Sequence, residues 1–85
     1  MIQQYINAAL RIARYEFVED GQTYFASVPG LQGVWSEGTT IEECRQTLAE
    51  VIEDWVWAHV RHGVEVPPVN GVRVQPDERT IAALA

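Results

Sequence analysis

Four kinds of residue in this chain could do chemistry: carboxylates, a single thiol, a histidine pair and a set of glycines. Metal-dependent cleavage of a phosphodiester needs several carboxylates converging on metal ions. Here Glu16 points to one face of a predicted strand and Glu19 ends it. Asp20 lies in the following turn and Glu65 beyond a helix. They read as solvated surface acids. Cys44 falls on the apolar side of a predicted helix, in its second turn; a nucleophilic thiol wants a nearby base, and this one reads as buried and structural. His59 and His62 have a spacing that can bind metal on a helix, but no third ligand follows at a useful distance. They read as helix-terminal histidines that favour the negative end of the dipole. Gly30, Gly33 and Gly38 precede no Gly-Lys-Ser/Thr, so they form no phosphate loop and read as turn residues. The expectation is a protein without catalytic, metal or cofactor site, and not an enzyme.

The elements that must position these residues follow from periodicity. Ile2, Tyr5, Ile6, Ala9, Leu10 and Ala13 keep helical spacing and predict a short amphipathic helix over 2–12. At Arg14 the period changes: Tyr15 and Phe17 alternate with Glu16 and Val18, as in a strand. Asp20-Gly21 offers the positive φ angles of a tight hairpin turn. Thr23 to Val28 is a second strand, Pro29-Gly30 breaks it, and Gly33 to Ser36 reads as a short third strand centred on Val34 and Trp35. Thr40, followed three positions on by Glu43, is a capping box that opens a helix running to about His62, where Gly63 stops it. Ile41, Cys44, Leu48, Val51, Ile52, Trp55 and His59 share one face of that helix, and Glu43, Glu50, Asp54 and Arg61 the opposite one. Val64 to Val69 is expected to be extended and confined to a sheet edge by Pro67-Pro68. Asn70-Gly71 is a candidate hairpin between Val72 to Val74 and the preceding segment. Pro76 to Ala85 has the pattern of one or two helical turns, or of a frayed end.

The predicted fold class is α+β: a three-stranded antiparallel meander plus a further edge strand, packed by one long helix, with a short N-terminal helix. The 85 residues make a single domain, with the core over 14–69 and a short tail over 72–85. A helix of about 22 residues is roughly 33 Å long, whereas strands of five or six residues span only about 17 to 20 Å. The C-terminal half of the helix must therefore meet the first helix, the tail or another chain.

Charge narrows the partners. Twelve acidic residues face six arginines with no lysine, for a formal net charge of -6. Direct nucleic-acid binding rests first on neutralising phosphates, and Arg11 and Arg14 alone make no basic stripe. An acidic surface suits a basic protein partner better. One cysteine fits a reducing compartment, Met1 to Leu10 lacks the basic and apolar regions of a signal peptide, and no apolar run reaches membrane-spanning length. The expected place is the cytoplasm, with no membrane partner.

Several motifs together carry a family likeness. They are Tyr24-Phe25-Ala26-Ser27-Val28-Pro29-Gly30-Leu31, Gly33-Val34-Trp35, Gly38-Thr39-Thr40-Ile41-Glu42-Glu43-Cys44 and Gly63-Val64-Glu65-Val66-Pro67. From about Tyr15 to Val69 the chain resembles the N-terminal domain of HicB-type antitoxins and the small orphan proteins related to it. The likeness is carried by structural punctuation, with Thr40, Glu43, Gly30, Gly63 and Pro67 in structural roles. It implies a partial ribonuclease H-like β-β-β-α-β domain that forms dimers or larger assemblies and neutralises a small basic toxin that cleaves messenger RNA. Many members add a C-terminal DNA-binding domain; Val72 to Ala85 are too few for a helix-turn-helix, so autorepression is not carried over.

The expected function is thus antitoxin-like: binding and occluding a small basic RNA-cleaving toxin of the HicA type. The alternative is an orphan homo-oligomeric binding or adaptor module without a toxin partner. Interface candidates are Trp57, Val56, Val60, Glu53 and Trp35. Trp57 falls on the helix wheel among Glu50, Glu53 and Arg61, where a tryptophan is exposed, covered by the tail or buried by another chain, and tryptophan is enriched at interface centres. Trp35 faces either helix or solvent.

Overall fold

Apolar residues at helical spacing build the first element, α1, over Ile2–Ile12, with Tyr5, Ile6, Ala8, Ala9 and Leu10 buried. The computed structural model describes residues 2–74; the expectation for Pro76 to Ala85 lies outside them. After α1 come β1 (Arg14–Val18), β2 (Thr23–Ser27), β3 (Trp35–Gly38) and the long helix α2 (Ile41–Arg61). The strands form one antiparallel sheet in the order β1-β2-β3. The α+β architecture is the predicted one.

The β1–β2 turn departs in detail. Its positive φ is at Gln22 (51°) rather than at the Asp20-Gly21 pair, and the Gln22 amide donates to the Glu19 carbonyl at 3.2 Å. Four residues, not two, separate the paired Val18 and Thr23. The third strand is also displaced, from the predicted 33–36 to 35–38. Gly33, at φ 83°, belongs to a turn in which the Val34 amide donates to Leu31 O, so pairing cannot begin until Trp35. Gly38, read from sequence as a turn residue, is the buried end of β3. A Cβ there would lie 2.9 Å from the Cys44 backbone nitrogen, so its lack of a side chain sets how closely strand and helix approach.

Both ends of α2 are capped as the sequence foretold. The Glu43 amide donates to Thr40 Oγ1 at 3.0 Å. The reciprocal half of the capping box is replaced: the Glu43 carboxylate accepts from Thr39 Oγ1, also at 3.0 Å. At the other end His62 is the cap and Gly63 adopts φ 69°. Val64 N–H donates to His59 O at 2.8 Å and Gly63 N–H to Val60 O at 3.2 Å, the paired bonds of a Schellman motif.

Helix α2 lies across β3 and, less extensively, β2, and α1 packs against it. Cys44, Leu48, Ile52 and Val56 are its fully buried residues, and they meet Ala26, Val28, Leu31 and Val34 from the sheet side together with Tyr5, Ala8 and Ala9 of α1. Each fully buried aliphatic side chain here contributes about 1.5–3 kcal/mol relative to exposure.

The further edge strand does not form among the described residues. Val64 to Pro68 makes no ladder, because Pro67-Pro68 has no N–H to offer one. Val66 and Val69 are instead buried in the core cluster, and the segment is held by side-chain contact. Beyond it, Asn70 (φ 49°) and Gly71 (φ 82°) make the expected tight turn, with Val69 and Val72 exchanging hydrogen bonds of 2.9 and 2.8 Å.

Candidate protein-interaction site

Alternation along the strands sorts the sheet into two faces. Tyr15, Tyr24, Ala26, Ser36 and Gly38 point toward the helix side, and Ala26, Ser36 and Gly38 are buried there. Arg14, Glu16, Val18, Thr23, Phe25, Ser27, Trp35 and Glu37 occupy the outer face. No described element covers it. On this face Phe25 and Trp35 stack, with ring centroids 5.3 Å apart and planes 13° from parallel. Trp35 remains 50% exposed. The register then places Glu16 and Glu37 directly on either side of Phe25. Trp35, whose orientation the sequence left open, therefore faces solvent.

The helix candidates separate. Val56 is fully buried in the core, so its assignment to a surface patch is corrected. The cause is that α1 packs against α2 and extends the core past the end of the sheet. Val60 is partly buried against the same core. Trp57 is partly buried but lies outside the core cluster formed by the described residues, and Glu53 is exposed. Trp55 and His59, expected on the core face, lie at its margin: their rings are 4.0 Å apart and His59 Nδ1 lies 2.9 Å from the Trp55 carbonyl oxygen. Ile41 is 48% exposed rather than core, at the first position of α2. There Tyr24, Thr39, Thr40, Ile41 and Glu42 line an open concavity of about 310 Å³. Phe17, tilted against Tyr24 at 5.0 Å, is half-exposed because α2 does not extend over β1.

The residues with possible chemistry are held apart. Glu16 belongs to the outer sheet face, Glu19 and Asp20 to the turn, and Glu65 meets Arg73 at 3.9 Å between exposed side chains. Cys44 is free and fully buried. Ser36 Oγ donates to the Cys44 carbonyl at 2.8 Å and lies 3.4 Å from its sulfur, while the thiol approaches Tyr24 O at 3.6 Å. This buried cluster joins β2, β3 and α2, which is a structural use of a thiol. Tyr5, fully buried, donates from its hydroxyl to Pro67 O at 2.7 Å, and burial pushes its pKa up to about 12. No helix among the described residues is long and apolar enough to cross a membrane.

Sequence reasoning singled out Trp35 but missed Phe25 and Glu37. The signal was present: alternation within Thr23 to Val28 puts Phe25 opposite Ala26. What the sequence lacked was the strand register that brings Phe25 beside Trp35.

The arrangement offers an aromatic platform between carboxylates, suited to holding a cation or a flat polar group rather than to bond-breaking chemistry. Comparison with known proteins agrees on the fold and supplies the kinship. No curated protein matches the chain. The crystal structure of TTHA0281 from Thermus thermophilus matches with a TM-score of 0.82 and 32% sequence identity, over 91% of this chain and 95% of that one. The UPF0150-like family model matches residues 4–67. The chain belongs to the UPF0150-like family.

Proposed function

We propose that this protein is a non-enzymatic binding module for a basic protein, acting as an antitoxin of HicB type that occludes a small RNA-cleaving toxin of HicA type. The observation that carries this reading is the pairing of a net charge of -6, without a single lysine, with a sheet face that no described element covers. An enzyme that grips RNA needs a basic surface. An acidic domain can cover that surface while repelling phosphates, so inhibition is steric and electrostatic together. Membership of the UPF0150-like family and the motif likeness to HicB N-terminal domains support the same reading.

Co-expression with the adjacent reading frame, if it encodes a small basic protein, tests it. The expected result is a stable complex in which an equimolar amount of this protein stops RNA cleavage by the partner. If the two do not associate, or cleavage continues in the complex, the antitoxin reading fails.

A second reading rests on Trp57, which is partly buried yet outside the core cluster. In it the chain is a homo-oligomeric adaptor module that buries Trp57 against a second copy. A chain that self-associates but has no basic neighbour would favour it.

A further inference from the structure

The outer face of the sheet has an ordered composition. Its rows, read across the strands, are Arg14, Ser27 and Trp35, then Glu16, Phe25 and Glu37, then Val18 and Thr23. Neighbouring strands lie about 4.8 Å apart, so Glu16 and Glu37 stand roughly 10 Å apart with the Phe25 ring between them. Trp35 and Glu37 share this face of β3, roughly 7 Å apart along the strand. The Trp35 ring is stacked on Phe25 at 5.3 Å and is half-exposed, which fixes its plane while leaving surface free for a ligand. Val18, 40% exposed, extends the apolar strip toward the β1–β2 turn, where Glu19 and Asp20 add two more carboxylates.

We propose that this face is a docking surface for an arginine-bearing segment of a protein partner, with a guanidinium stacked on the Trp35–Phe25 platform and its N–H groups directed at Glu37 or Glu16. The proposal rests on the reading of this chain as a binder of a basic protein, and it names where that binding occurs. Guanidinium is planar, stacks on indole and forks to carboxylates; the ammonium of lysine does only part of this. Charge decides against the other occupants. A second copy would bring its own Glu16, Glu37, Glu19 and Asp20 against the same four groups, with only Arg14 to offset them. A nucleic acid would bring phosphates to a carboxylate-flanked surface.

The test uses the full chain and two probes of equal charge, an octa-arginine and an octa-lysine peptide, titrated at physiological salt and followed by amide and indole chemical shifts. The arginine peptide should bind more tightly. Its shifts should centre on Phe25, Trp35, Glu37 and the Trp35 indole N–H. Trp35→Ala should weaken it by about tenfold, the size expected for losing a desolvated cation–π contact. Glu37→Gln, which keeps the size of an exposed side chain, should weaken it as well and serves if Trp35→Ala misfolds. The charge-matched pair Glu50→Gln and Asp54→Asn, both exposed on α2, should change it less than about twofold, as for distant surface charges screened by salt. Equal binding of the two peptides, shifts spread over α2, or equal loss in the α2 variants would overturn the proposal. So would a change in self-association on Trp35→Ala by sedimentation, because the face would then belong to a second copy. If a basic partner forms an inhibited complex that is indifferent to Trp35→Ala and Glu37→Gln, this site fails while the antitoxin reading stands. If no basic partner associates at all, the reading itself has failed.

Discussion

The Tyr5 hydroxyl donates a 2.7 Å hydrogen bond to the Pro67 carbonyl, joining α1 to the segment that follows α2 across 62 positions of sequence. Tyr5 is fully buried, and Pro67 belongs to a stretch with no strand partner. The contact does for this segment what a ladder does for a strand: it satisfies a backbone carbonyl and holds Val66 and Val69 in the core. Proline is well placed here, since it gives up a donor the sheet does not use but keeps its acceptor.

Tyr5→Phe should destabilise the domain by about 0.5–1.5 kcal/mol, measured as a lower urea midpoint with an unchanged slope. The same residue gives an alkaline signature. Its folded pKa, about 12, lies above the ordinary 10 because burial favours the neutral phenol. The stability it contributes is therefore complete below pH 10 and lost as pH rises through 12. Tyr5→Phe should flatten that limb of the unfolding profile; an identical limb in both proteins would place the titration elsewhere.

Thr40→Ala removes the acceptor for the Glu43 amide and should cost about 0.5–2 kcal/mol. Because Thr39 holds the Glu43 carboxylate, Thr39→Val should cost less than Thr40→Ala. Urea melts of the two variants rank them directly.

Gly38→Ala should be more damaging than an ordinary strand substitution. The new Cβ would meet the Cys44 backbone nitrogen at 2.9 Å, and backbone cannot rotate aside as a side chain can. A loss of about 1–3 kcal/mol is expected from such overpacking. A thermal midpoint equal to wild type would mean that β3 and α2 can separate without cost.

Trp57 is expected near the centre of a contact between copies, so the wild type should be at least a dimer and Trp57→Glu a monomer by sedimentation equilibrium. With most of the residue already covered, on the order of 50 Å² per subunit remains to bury, worth roughly 1 kcal/mol before association costs. A wild type that stays monomeric at high micromolar concentration would remove Trp57 from any such interface.

What the sequence determined by itself was local. Helical spacing from Ile2 to Ala13, the Thr40 and Gly63 caps and the Asn70-Gly71 turn each state their structure within a few residues, because capping and turn geometry are settled by neighbours along the chain. The same locality explains the small errors: a positive φ moved from Gly21 to Gln22, and a strand began two residues late, because pairing partners choose turn length and strand start. Which face a residue buries was decided only in three dimensions. Val56 is core because α1 lies against α2, and Ile41, on the same side of the helix wheel as Cys44 and Leu48, is left half-exposed at the helix start. Gly38 is small because a helix backbone comes within contact distance. Phe25 and Trp35 are ten positions apart in a sequence that says nothing of their meeting; the antiparallel register and the absence of a second covering layer among the described residues make them one exposed surface between two carboxylates.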